Sequence, residues 1–547
     1  MSRVLSPQFW QSSCRRTSSY KTTACRIVAI SSSRASSREF SNTPHRRLME
    51  TTGFTETQLT VRHAVSQICS HFPNTYWQEH DQKEQDPKEF HAALARDGWL
   101  GIALPDSLGG SGLGISEATM MMQTIAESGA GMAGAQAVHA NVYATQPLAK
   151  FGTEEQLRET IPGIISGKWR TCFGVTEPNA GLDTLRLSTT ARRESDEYVV
   201  SGQKIWTTCG QVASKMILLA RTTPYEEARK PSEGLSLFCI DLDRTQPGLS
   251  MRKIKKMGGR AVDANEVFFD GYRIPAKTLI GEEGQGFKIV LHGMNAERCL
   301  LAGEALGLGY AALTRAASYA RERVVFQRPI GMNQGVAHPL ADAYMHLEAA
   351  KLATYHAARL YDASKTDSSI TQKAVGLAAN SAKYLAAEAA FSACERAVLA
   401  HGGMGYAAEY DVERWFRECL VPRIAPISGE GSAQYTGEAA ISLTAHPTPL
   451  DTPSHEGARP EAAVSSDHAP QLSQGQDCED DLSATSSSSS SSSPTPGTRF
   501  FGESNLLTLV PSASDEGGAS ARSNISGVNN GNSQKLRFTF PIPATPQ

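Results

Sequence analysis

Tyr198-Val199-Val200, Met216-Ile217-Leu218-Leu219-Ala220, Leu235-Ser236-Leu237-Phe238-Cys239-Ile240 and Val267-Phe268-Phe269 decide the fold. Each run is short, alternating or wholly apolar, and bounded by Gly, Pro, Asp or Asn, the pattern of strands joined by turns. No regular helix separates them as βαβ units require, so residues 168–285 are predicted to form an antiparallel β domain. On either side the period changes. Upstream, Val61, Ala64, Val65, Ile68 and Cys69 recur at helical spacing and Phe90 and Leu94 begin a shorter helix, which predicts a helical domain over 48–167. Downstream, 286–445 reads as long Ala-rich helices broken by the polar stretch Ser364–Ser369 and by Gly402-Gly403, the pattern of an up-and-down bundle.

The two ends differ from this middle. Residues 1–47 hold Arg3, Arg15, Arg16, Lys21, Arg26, Arg34, Arg38, Arg46 and Arg47 against the single acid Glu39, the make-up of a mitochondrial transit peptide and hence of a matrix address. Residues 446–547, with the run Ser486–Ser493, have too few large apolar side chains to offset chain entropy and read as a disordered tail. The 547 residues carry a net charge of −3 with no basic block in the middle, which argues against nucleic acid as a partner. Ten cysteines without CxxC pairs suggest neither zinc nor a disulfide scaffold, and no metal is expected. The most apolar stretch, Cys299 to Ala320, is interrupted by Glu304 and Arg315, so no membrane span is expected.

Five strings stand at the junctions of the middle: Ala103-Leu104-Pro105-Asp106 through Gly109-Gly110-Ser111-Gly112-Leu113-Gly114; Phe173-Gly174-Val175-Thr176-Glu177-Pro178-Asn179-Ala180-Gly181; Gly202-Gln203-Lys204-Ile205-Trp206-Thr207-Thr208; Arg321-Glu322-Arg323-Val324-Val325-Phe326; and Gly402-Gly403-Met404-Gly405. Singly each could be a turn or a core strand. In this order and spacing they resemble the acyl-CoA dehydrogenase family of flavoenzymes. The resemblance implies an α+β multidomain fold: an N-terminal α-helical domain, a β-barrel-like middle domain and a C-terminal four-helix bundle, assembled as a homo-oligomer, dimer or tetramer. It implies FAD as cofactor, an acyl-CoA substrate, electron-transferring flavoprotein as partner and a place in fatty acid β-oxidation.

By the same resemblance Phe173, Val175 and Thr176 line the flavin ring and its pyrimidine end. Trp206 and Thr208, two apart on an alternating strand, present one face to it. Arg323 and Phe326, nearly a helical turn apart, join Gln334, Gly402 and Gly403 around the adenosine diphosphate half of a neighbouring subunit's FAD, and Ser432 and Gln434 also fall at cofactor-contacting positions. Leu182 and Arg298 fall on the substrate side. The chain departs from the family pattern at Leu182, where a hydroxyl residue is usual, at Gln327, where Gly is usual, and at Leu399, where several relatives have Gln.

The implied chemistry needs a carboxylate, ionised yet barely solvated, to take the α-proton of a thioester. Two glutamates match family base positions: Glu297 in Asn295-Ala296-Glu297-Arg298, and Glu430 in Gly429-Glu430-Gly431-Ser432-Ala433-Gln434. Two carboxylates in one dry site would push one pKa upward, so one should dominate. Glu297 is preferred, because its helix continues apolar whereas the chain after Gln434 soon enters the low-complexity tail; Glu430 is the alternative. The leading reading is an FAD-dependent acyl-CoA dehydrogenase making trans-2-enoyl-CoA. The alternatives are a flavin oxidase or monooxygenase on the same fold, and a catalytically impaired scaffold homologue.

Overall fold

The computed structural model describes residues 48–441; the segments read as a transit peptide and a tail lie outside them. Among the described residues seven α-helices come first: α1 Glu56–Cys69, α2 Asn74–Lys83, α3 Lys88–Arg96, α4 Ile115–Ile125, α5 Gly131–Tyr143, α6 Thr145–Phe151 and α7 Glu154–Ile165. Thr55 and Thr153 start α1 and α7 with capping boxes, each hydroxyl accepting from the backbone N–H of a Gln three residues on. α5 is Ala- and Gly-rich and buried on nearly all sides, so every polar group on it needs a partner inside the protein.

Eight strands follow: β1 Thr171–Gly174, β2 Thr190–Glu194, β3 Glu197–Thr208, β4 Lys215–Arg221, β5 Leu235–Asp241, β6 Leu249–Lys253, β7 Ala264–Pro275 and β8 Leu279–Ile280. They form one sheet in the order β6-β7-β3-β2-β4-β5-β8, with β1 on β4. This corrects the antiparallel, barrel-like expectation in two respects. The sheet is mixed, because β1 runs parallel to β4 and β2 meets β4 in parallel at Thr190 and Arg221. It is also open, with β6 and β8 at opposite edges. β1 enters the sheet straight from a helix and not from a hairpin, which is why its direction escapes a turn-based reading. One face of the sheet has its own core around Tyr198, Phe238 and Tyr272; the other contributes Ile217, Leu219 and Leu237 to the core it shares with the helices.

Three long helices complete the fold: α8 Gly286–Glu322, α9 Gln334–Ala363 and α10 Gln372–His401, of 37, 30 and 30 residues. Each packs on the other two. The described residues supply three long helices of the expected four-helix bundle, and the helices described after α10 are short: α11 Asp411–Glu418, α12 Val421–Ile424 and α13 Gly429–Thr436. A further helix packed on α8 is α4, from the N-terminal segment. Close approach there depends on Gly303 and Gly307, because a Cβ on Gly307 would lie 2.2 Å from the Gln123 carbonyl oxygen and one on Gly303 2.8 Å from that of Thr119. α9 secures α4 from its other end, where the Asp362 carboxylate accepts from the N–H groups of Ile115 and Ser116, both at 2.8 Å.

Between α8 and α9 the chain makes a small hairpin, β9 Val324–Val325 and β10 Arg328–Pro329. Arg323 ends α8, and Phe326 and Gln327 form the turn with φ of 50° and 63°. The expected helical spacing of Arg323 and Phe326 is therefore wrong: the two side chains are separated by a strand. The left-handed turn also explains the glycine usual at position 327, since a Cβ is strained there. No described helix is long and apolar enough to cross a membrane. The seven cysteines among the described residues are free and buried.

Candidate active site

Glu297 projects from α8 where α5 packs against it. Its side chain is only 12% exposed, and the His139 Nε2 of α5 stands 4.0 Å from its Oε1. His139 pairs through Nδ1 with the fully buried Glu304, whose other oxygen accepts from Gln136 Nε2 at 2.7 Å. The Tyr143 ring packs on the imidazole at 4.7 Å and on Phe173 of β1 at 5.2 Å. Next to the base candidate, Arg298 donates to Asn295 Oδ1 at 2.8 Å, while its buried Nε has no partner. Lys383 of α10, fully buried, donates to the Ile427 carbonyl at 2.5 Å. Burial pushes the Glu297 carboxyl up to about 7, opposed by His139, Arg298 and Lys383 and reinforced by Glu304. Burial alone would discharge His139, but Glu304 and then Glu297 outweigh it and raise its pKa.

Glu430 has the opposite surroundings. It is exposed in the first turn of α13, whose N-cap is Ser428. Its own backbone N–H and then the Ser428 hydroxyl hold its carboxyl below the usual value. Leu182, itself exposed, lies over this helix start: a Cβ on Gly431 would come within 3.3 Å of Leu182 Cδ1. Ser432 is buried with an unpartnered hydroxyl, and Gln434 is exposed, donating to Glu438 at 3.0 Å. Thus Glu297, Arg298 and Phe173 belong to one buried cluster, with Leu182 and Ser432 at the nearby α13.

The Val175–Ala180 loop is built around a buried ion pair that motif reading missed. Lys204 Nζ lies 2.8 Å from Glu177 Oε1 and donates to the Val175 carbonyl at 3.0 Å. The Glu177 carboxylate also accepts from Ser188 N and Oγ, both at 2.7 Å, and from Thr189 N at 2.9 Å. Burial would raise the Glu177 carboxyl, but Lys204 and the other donors bring it down to about 2. The pair sets Val175 and Thr176 at the end of β1, and the Thr176 carbonyl accepts from Ile205 N at 2.9 Å, which places Trp206 beside the loop. The strand does not simply alternate there: its register with β7 shifts between Lys204 and Thr207, and Trp206 has φ of 61°. This corrects the basis for aligning Trp206 with Thr208. The bulge turns the indole out, 56% exposed, while Thr207 is buried with an unpartnered hydroxyl and Thr208 is half-buried.

Arg323, Phe326, Gln334, Gly402 and Gly403 are all exposed, Phe326 by 92%. They are not near Glu297 within one chain. Arg323 follows Glu297 by 26 residues on the same helix, about 39 Å at 1.5 Å per residue. Gly402 has φ of 60°, and neither it nor Gly403 has an atom within 4 Å of an added Cβ, so a ligand can approach that backbone closely.

Three family models match in chain order: the acyl-CoA dehydrogenase N-terminal domain at residues 55–168, the middle domain at 172–272 and the C-terminal domain at 284–435. The chain belongs to the acyl-CoA dehydrogenase family. Members are oxidoreductases acting on CH–CH groups, and so is this protein. It is similar to acyl-CoA dehydrogenase FadE12 of Mycobacterium tuberculosis, with 33% identity over 400 residues, 72% of this chain and 99% of the relative. It is 34% identical over 344 residues to the caffeyl-CoA reductase–Etf complex subunit CarC of Acetobacterium woodii, covering 63% of this chain and 87% of that one. Among solved structures, butyryl-CoA dehydrogenase from Megasphaera elsdenii matches with a TM-score of 0.66 and 29% identity, over 72% of this chain and all of that one.

Acyl-CoA dehydrogenases are flavin-dependent, FAD being typical. The residues here fit such a group: an indole face left uncovered at Trp206, the unpartnered Ser432 and Thr207 hydroxyls, and the open glycines 402 and 403. Because Glu177 is held ionised, it contributes stability above the unfolded carboxyl value of 4.5 that is lost as pH falls through about 2. Glu177→Gln, which leaves Lys204 buried and uncompensated, should lower unfolding free energy by about 3–5 kcal/mol at neutral pH. Denaturant titration should also find a shallower stability loss between pH 4.5 and 2 than in wild type.

Proposed function

We propose that the chain is an FAD-dependent acyl-CoA dehydrogenase in which Glu297 removes the α-proton of an acyl-CoA thioester, giving trans-2-enoyl-CoA. The observation that carries this is the contrast between the two glutamates: Glu297 is nearly dry and titrates near 7, whereas Glu430 is exposed and stays a weak, well-solvated base. A bound FAD would supply the acceptor for the β-hydride. Phe173, Val175, Thr176, Trp206, Thr208 and Ser432 would hold the flavin end. Arg298 and Lys383 add positive charge beside Glu297 and so favour its ionised form until the proton arrives. Tyr143, packed on His139 and on Phe173, would help keep water from that carboxylate. The electrons would leave to an electron-transferring flavoprotein, a reading supported by the similarity to a subunit of an Etf complex.

Arg323, Phe326, Gln334, Gly402 and Gly403 would hold the adenosine half of FAD in a second copy of the chain. The distance of about 39 Å along α8 supports this, because the same chain's Glu297 site is out of reach. The acid-poor residues 1–47 support a mitochondrial matrix address.

Three outcomes are expected. Glu297→Gln should keep FAD while slowing flavin reduction by an acyl-CoA about 10²–10⁴-fold in rapid mixing, and Glu430→Gln should cost much less; an enzyme that no acyl-CoA in a chain-length panel bleaches anaerobically is not a dehydrogenase. Arg323→Ala should lower FAD content and loosen the oligomer together, read by absorbance and sedimentation. The protein isolated from mitochondria should begin near residue 48 by mass spectrometry; a chain retaining Ser2 refutes import processing.

A further inference from the structure

We propose that His139, held as an imidazolium by Glu304, is a positioning residue that acts through Glu297 by keeping its carboxylate ionised. The proposal rests on the reading of Glu297 as base. Both ring nitrogens of His139 face carboxylates, Nδ1 toward Glu304 and Nε2 toward Glu297 at 4.0 Å. Only the doubly protonated ring presents N–H to both sides; a neutral tautomer would aim a lone pair at one of them. Glu304 has no exposed surface, and among the described residues its one ion-pair partner is His139. Gln136 occupies its second oxygen with a neutral donor. The ring itself is held by Tyr143.

The other charged and titratable groups around the pair are Arg298 on α8, Lys383 on α10, Tyr435 on α13, and the thiols of Cys172 and Cys209. Arg298 is anchored to Asn295 and Lys383 to the Ile427 carbonyl. Tyr143 packs on the His139 ring, but the ring's polar partners among the described residues are the two carboxylates, so His139 is the cation whose charge depends on them. The elevated pKa of His139 and the value of about 7 at Glu297 agree with a carboxylate whose burial is only partly offset.

The test is an infrared pH titration of the FAD-loaded enzyme, in which the protonated-carboxyl band absent from Glu297→Gln reports Glu297 directly. The midpoint should lie near 7 in wild type and rise by about one to three units in His139→Gln, which loses the cation but can still donate to Glu304. Glu304→Gln keeps the shape but removes both the anion that holds the charge on His139 and a charge that itself raises Glu297, so the two effects oppose and its midpoint should move by less. The acid limb of flavin reduction by butyryl-CoA should move in parallel, with the high-pH rate preserved. An unmoved midpoint in both variants, or a uniform fall in rate at every pH, overturns the inference and leaves His139 a packing residue. If Glu297→Gln itself still reduces flavin, the base assignment falls first and the inference with it.

Discussion

Two carboxylates two helical turns apart on one buried helix are costly unless positive charge or hydrogen-bond donors stand beside them. Glu297 and Glu304 of α8 impose that condition, and much of the fold follows from meeting it. α5 must lie inside the protein to bring His139 to them, so its sequence is Ala- and Gly-rich and apolar on nearly every side. α4 must lie close on α8 to seal the same region, so Gly303 and Gly307 omit their side chains where its backbone passes. β1 ends beside Tyr143, so the loop after it, carrying Val175 and Thr176, opens next to the buried charges.

The division into helices, sheet and helices was legible because each segment announces its own period, and Glu297 stood out as a candidate because its neighbours form a family string. Local pattern failed where long-range packing sets the geometry. A parallel β1 cannot be read from turns, since its partner β4 lies some forty residues away. The bulge at Trp206 and the left-handed turn at Phe326–Gln327 depend on backbone angles that no residue type there announces, because Trp, Phe and Gln ordinarily avoid them. His139 stands in none of the five strings, so nothing in the sequence marks it. Glu304 counted only as a charge interrupting an apolar run. One missed pair did carry a signal: Lys204 falls in the same alternating phase as the buried Tyr198 and Val200, and a lysine in that phase requires a buried partner, which Glu177 is.

The two base candidates illustrate why motif matching alone leaves their order open. Both stand in strings the family uses, yet a helix start and a helix interior are different solvents. At the start of α13, free N–H groups and water stabilise the charge of Glu430 and make its carboxylate a poor proton acceptor. Inside α8 the backbone is already paired, water is excluded, and the affinity of Glu297 for a proton rises until it matches neutral pH.

Helix α8 also acts as a spacer. Its buried half carries Glu297 and Glu304, and its far end delivers Arg323 and the exposed hairpin around Phe326. An exposed phenylalanine at a strained turn is unfavourable for an isolated chain, because it gains no burial to offset the strain. The same hairpin becomes economical if it meets a cofactor held by another copy, since apolar burial and a charge-assisted contact from Arg323 are then gained together. On the proposed reading, α8 joins two sites, with the acid–base chemistry at one end and a neighbour's cofactor at the other.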